Sequence, residues 1–149
     1  EHVARTAREL PTVRAASYNL HTPYPGTEHL ALTRQERRAC CAELGRLIAQ
    51  GYPILTLAST LDAVAENDWP TPCHQCVIVE DGRQWVCGRC VEVPGLCAQC
   101  GYLFSAELSL LFSGRPRVVA DAARTYGRYL LHPPSGPRRG AERRPTVRT

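Results

Sequence analysis

Six cysteines dominate the middle of the chain: Cys73, Cys76, Cys87, Cys90, Cys97 and Cys100. They form three C-x-x-C pairs, separated by ten and then six residues. Two residues between thiols is a chelating spacing, because the turn directs both sulfurs at one ion. Thiolate-only ligation suits iron–sulfur and zinc alike. A zinc tetrahedron or one [4Fe–4S] cubane takes four ligands, so six thiols leave a pair over. Two clusters would take eight, unless each keeps an open iron or a further ligand. His74 lies inside the first pair, where a lone histidine reads first as a surface residue. The spacing thus predicts a metal-binding module, for iron–sulfur in the first place and zinc as the alternative. Eight cysteines would also suit a small secreted disulfide framework. Chelating pairs point instead to a reducing compartment and a cytoplasmic protein. Their thiolates serve as ligands and not as nucleophiles.

The elements that must position these thiols follow from local pattern. Between Cys76 and Cys87 runs VIVEDGRQWV, in which Asp81-Gly82 is a two-residue hairpin turn between β-branched and aromatic flanks. Such a hairpin lets the first two C-x-x-C pairs face one another, as in a zinc ribbon. Gly101, just after Cys100, frees the backbone for sulfur contacts or a tight turn. Upstream, residues 2–9 read as the end of a helix stopped by Pro11, and TVRAASYNL (12–20) as a strand. Residues 21–29 form a loop stiffened by Pro23 and Pro25. Thr33 with Glu36 is a capping box that opens a helix. Its apolar face is read as Cys40, Leu44, Leu47 and Ile48, with Gly51 as C-terminal cap. Cys40 and Cys41, neighbours about 100° apart on that helix, do not chelate together, and Cys40 reads as core. PILTL (53–57) is a short buried strand, and Ser59 with Asp62 opens another helix to about Asn67. Strand, loop, helix, strand, helix is α/β alternation. Leu103 to Phe112 is an apolar helix. A last helix from about Val118 to Leu131 has Val119, Ala122, Ala123, Tyr126 and Leu130 on one side.

The strand–loop–helix segment containing Leu20-His21-Thr22-Pro23-Tyr24-Pro25-Gly26-Thr27-Glu28 resembles the late barrel of radical S-adenosylmethionine (SAM) enzymes. Many of these carry a P-G-T loop after a late strand. Several families also append cysteine-rich extensions, called SPASM or twitch domains, for auxiliary iron–sulfur clusters. The spacing here departs from the standard pattern of those extensions. The resemblance implies an α/β fold: a partial (β/α) barrel segment, a small cysteine-rich metal-binding hairpin module and C-terminal helices. It implies late barrel over residues 1–68 and the cluster module over 69–102, while residue pattern gives helices over 103–132 and composition a disordered arginine-rich tail over 133–149. It further implies that Pro25, Gly26, Thr27 and Glu28 lie near the SAM or substrate end of the barrel. The superfamily's SAM-cleaving C-x3-C-x2-C motif is absent from these 149 residues. The expected partners are therefore an N-terminal radical SAM core, in the same or a separate chain, and a substrate the sequence does not name. The lack of any methionine agrees with a fragment.

Charge and hydropathy exclude other classes. The net charge is +4, with all 18 basic residues arginine. Residues 133–149 carry five arginines against Glu142, which accounts for the whole excess. The remaining body is balanced, which weighs against a nucleic-acid interface. No apolar run approaches the ~18 residues of a membrane span. No acid–base pair or nucleophile stands out; Asp62, Glu66 and Asp68 read as a solvated helix face.

Overall fold

The computed structural model describes residues 1–71, 77–87 and 92–131. Cys73, His74, Cys76, Cys90 and the arginine-rich tail lie outside the described residues. Among the described residues five α-helices carry the fold: α1 (His2–Glu9), α2 (Arg34–Ala49), α3 (Leu61–Glu66), α4 (Leu103–Phe112) and α5 (Pro116–Tyr126). A five-residue π turn, Gly127–Leu131, extends α5. Strands β1 (Val77–Glu80) and β2 (Arg83–Val86) pair antiparallel, Val77 opposite Val86 and Glu80 opposite Arg83. Asp81 at φ 50 and Gly82 at φ 72 make the hairpin turn that the sequence predicts.

The expected partial (β/α) barrel over residues 1–68 is not formed. The fold is helix-rich, and among the described residues the only paired strands are those of the hairpin. The two upstream segments read as strands meet in one parallel bridge, Ala16 with Ile54. The Ala16 N–H donates to the Pro53 carbonyl (2.8 Å), and the Leu55 N–H to the Ala16 carbonyl (3.0 Å). Beyond that bridge, several main-chain groups that a sheet would pair find partners in the C-terminal half instead. The Leu20 N–H donates to the Gly101 carbonyl (2.8 Å). The Leu57 and Ser59 N–H groups donate to the carboxylates of Glu107 (3.1 Å) and Asp121 (2.8 Å). Main-chain amides seek partners, and here the cysteine turn's Gly101 and carboxylates on α4 and α5 supply them in place of neighbouring strands.

Local chemistry sets the helix ends. Thr33 and Glu36 close the predicted capping box on α2. At its other end Gly51 sits at φ 76. The Gly51 N–H reaches Ile48 O and the Tyr52 N–H reaches Leu47 O, a complete Schellman motif. The expected Ser59–Asp62 box does not form: Ala58–Thr60 is a 3-10 turn, and Thr60 precedes α3 without a side-chain cap. The Ser59 N–H end of that turn is held by Asp121 instead.

The core is shared along the chain. Cys41, Leu44, Leu47, Ile54, Leu57 and Val64 belong to the same buried cluster as Cys100, Leu103, Leu110 and Ala122. On α2 the buried residues are Arg37, Cys41, Leu44 and Leu47, so Cys41 faces the core and Cys40 does not fully. The stripe is phased by Arg37, one turn before Cys41, which a search for apolar residues passes over. On α5 the buried residues are Val118 and Ala122, whereas Val119 is 45% exposed.

Candidate metal centre

The third C-x-x-C pair is the one described whole. Val93 to Gly95 turns the chain, Gly95 at φ 78, into a single 3-10 turn Leu96–Gln99. The Cys100 N–H donates to the Cys97 carbonyl (3.2 Å), so the two thiols sit at the ends of one turn. Cys87 and Cys97 are half-buried and Cys100 is buried. Cys87 follows β2 with φ 51, a left-handed conformation few non-glycine residues adopt. Among the described residues no three of His, Cys, Asp and Glu gather as a metal-binding group. A four-thiolate site needs ligands from Cys73, Cys76 or Cys90, outside the described residues.

The Cys97–Cys100 turn is built into the body of the protein. Leu96 and Cys100 are buried. Arg37 on α2 donates through Nε to the Val64 carbonyl (2.6 Å) and through a terminal amine to the Cys100 carbonyl (2.6 Å). It also donates to the Asn67 amide oxygen (3.2 Å). Asn67 ends α3 at φ 55, and its amide nitrogen donates to the Ala98 carbonyl. Two carbonyls of the cysteine turn are thus gripped from one side by Arg37 and Asn67. Burial pushes the Arg37 guanidinium below its ordinary value, and the nearby Cys41 and Cys100 thiols oppose that shift. Burial likewise raises the Cys41 thiol.

The proline-rich loop lies against the other side. The Gly101 N–H donates to the buried Thr22 hydroxyl (3.0 Å), and the Leu103 N–H to the Asn19 amide oxygen (3.1 Å). The hydroxyls of Tyr24 and Tyr102 meet at 3.2 Å. A Cβ on Gly101 would run into the Leu20 carbonyl, so glycine is required there by close approach. The expected tight turn or sulfur contact is not what selects it.

Within the loop, Pro25, Gly26, Thr27 and Glu28 come together as one turn. Gly26 has φ 88, and its N–H donates to the Glu28 carboxylate (2.8 Å). The Glu28 amide, with the Gly26 amide second, holds the Glu28 carboxyl below its usual range. The Thr27 hydroxyl donates to the Tyr24 carbonyl (2.8 Å). Its one proton being used, it accepts from His21 Nε2 (3.0 Å), which fixes the proton on that nitrogen. A cleft of about 220 Å³ separates loop from turn, lined by His21, Pro23, Arg34, Arg37, Asn67 and Gln99 among others. Pro25 to Glu28 are not among its lining residues. Glu66 at its rim binds Arg38 and Arg34, whose hydrogen bonds hold its carboxyl down to about 2.

Sequence reasoning missed Arg37 and Asn67. The signal for Arg37 was present: it lies four residues before Cys41, in phase with Leu44 and Ile48. Glu107, another omission, stood out as the single charge in the apolar helix LFSAELSLLF. No described helix is long and apolar enough to cross a membrane. No family model matches the chain, and neither a curated protein nor a solved structure is significantly similar to it.

Proposed function

We propose that this chain holds an auxiliary iron–sulfur cluster on cysteines drawn from Cys73, Cys76, Cys87, Cys90, Cys97 and Cys100. In this reading it works beside a radical SAM core that carries the C-x3-C-x2-C motif. One observation carries it: the Cys97–Cys100 turn is clamped between Arg37 and Asn67 on one side and residues 19–24 on the other. The loop that resembles radical SAM enzymes and the cysteine turn are therefore adjacent. The donor set fits the group, since six cysteines stand in chelating pairs and the buried Arg37 guanidinium holds the turn that carries Cys97 and Cys100. When bound, the cluster supplies one-electron transfer or an anchor for substrate. The chain's own part is to orient the ligands, exclude water from one face of the turn and border the cleft.

A zinc ribbon is the second reading. It is favoured by the Asp81-Gly82 hairpin, which joins the first two C-x-x-C pairs at ribbon length. Metal analysis of the anaerobically purified chain separates the two. Iron and acid-labile sulfide at about four each per chain support one cubane cluster. About one zinc without sulfide supports the ribbon and removes the electron-transfer role.

A further inference from the structure

Among the described residues, Arg37 has no carboxylate partner, although it is only 8% exposed. Its neighbours Arg34 and Arg38 share Glu66, which leaves Arg37 three neutral oxygens: the carbonyls of Val64 and Cys100 and the amide of Asn67. Burying a guanidinium against neutral acceptors alone is costly, and such cations ordinarily lie near an anion. A dication ringed by four thiolates is an anion, with two net negative charges. The Cys100 carbonyl that Arg37 holds belongs to a residue of that ring.

We propose that Arg37, backed by Asn67, is a positioning residue for the thiolate metal centre. It fixes the Cys97–Cys100 turn through its carbonyls and supplies the buried positive charge that balances the bound anion. The inference rests on the metal reading above and adds to it the residues that orient one ligand pair. Partners that orient ligands from behind tune affinity and potential as well as geometry. Arg37 reaches the main chain of the turn, so its effect passes to the sulfur through the backbone and through space. Asn67 contributes geometry without charge, and the two roles are separable by substitution.

The test is a cobalt(II) titration of the reduced, metal-free 149-residue chain, read by thiolate-to-cobalt charge-transfer absorption against a competing chelator. Arg37→Gln, which removes the charge, is expected to weaken cobalt binding by about 10- to 100-fold. Arg37→Lys, which keeps it, should recover part of that loss, and Asn67→Ala should cost less than Arg37→Gln. After iron–sulfur reconstitution, Arg37→Gln should have a more negative midpoint potential than the parent, with Arg37→Lys close to the parent. A purely structural Arg37 would lower thermal stability and leave the potential unmoved, which would overturn the proposal. Cobalt affinity in Arg37→Gln equal to that of the parent, with helix content retained, would also overturn it while leaving the metal reading intact. If Arg37→Gln does not fold, cobalt binding weakened by Asn67→Ala at unchanged helix content upholds the positioning role, and cobalt binding unchanged in Asn67→Ala sinks it. A parent chain that gives neither a cobalt–thiolate band nor a cluster removes the metal reading and this inference together.

Discussion

Glu107 lies 2% exposed at the centre of the molecule, with both carboxylate oxygens in use. One accepts from the Leu57 N–H and the other from the Tyr126 hydroxyl, at 3.1 and 2.8 Å. Burial raises its pKa above 4.5, the two hydrogen bonds oppose that, and nearby Asp121 adds to it. The folded chain therefore keeps this proton to higher pH than the unfolded chain. Its contribution is full below about pH 4.5 and is lost as pH rises through the raised folded value. The exposed carboxyls of Glu28, Glu36, Glu43 and Glu66 shift the other way, so their contribution is lost as pH falls below about 4.5. Urea unfolding across pH should show stability rising and then declining about that point. Glu107→Gln, which keeps an oxygen for Leu57 and offers N–H to Tyr126, should abolish the decline. Persistence of the decline in Glu107→Gln would assign it to another group. Glu107→Ala strands both partners in the core and should cost about 2–4 kcal/mol. Gly101→Ala tests the second crowded position. Its new methyl meets the Leu20 carbonyl, and a loss of about 1–3 kcal/mol is expected by urea unfolding. A neutral result would mean that residues 20–22 swing away from the cysteine turn. Neither residue's role was legible in the sequence. A lone Glu in an apolar helix announces burial without naming Leu57, 50 residues upstream, or Tyr126, 19 residues downstream, and Gly101 carries no mark that separates close approach from a turn.

At the scale of elements, the features written in consecutive residues were legible. The Thr33–Glu36 box, the Gly51 cap and the Asp81-Gly82 turn each need only local chemistry, and each is present. Thr33→Ala should lower stability by about 1 kcal/mol, read by thermal unfolding. Gly51→Ala should cost a similar ~1 kcal/mol because alanine resists the positive φ there. The pair identifies which end governs α2: a silent Thr33→Ala beside a costly Gly51→Ala would place its stability at the Schellman end. Features set by tertiary partners were not legible. The Ser59–Asp62 box matched its pattern equally well, yet Asp121 on α5 takes the Ser59 amide first. The face of α2 was misread by one position at Cys40 because its first buried member is an arginine. Arginine enters a core only where carbonyls are aimed at it, and those carbonyls come from α3 and the cysteine turn.

For the whole molecule, strand–helix–strand alternation predicts an α/β fold and the resemblance of the proline-rich loop a barrel segment, and the two extended segments do lie parallel where they touch. What stops a sheet from growing is the C-terminal half, which bonds Leu20, Leu57 and Ser59 and packs Leu103, Ala106 and Leu110 into the same cluster as Leu47, Ile54 and Leu57. That cluster is apolar and needs no metal. The β1–β2 hairpin is different: Val77, Val79 and Val86 are 47%, 70% and 37% exposed, and a two-stranded hairpin is marginal alone. Metal removal should therefore act unevenly. On chelation, amides of the hairpin and of Leu96 and Cys100 should exchange faster with solvent. Those of Leu47, Ile54 and Ala106 should stay slow, because their protection follows core burial. Hydrogen exchange by mass spectrometry on holo and chelated chain resolves the two sets. Uniform loss of protection would mean that metal binding folds the entire chain, as in small zinc domains. Protection unchanged everywhere would mean that the cysteine turn is held by Arg37 and Asn67 alone, and that metal enters a site already formed.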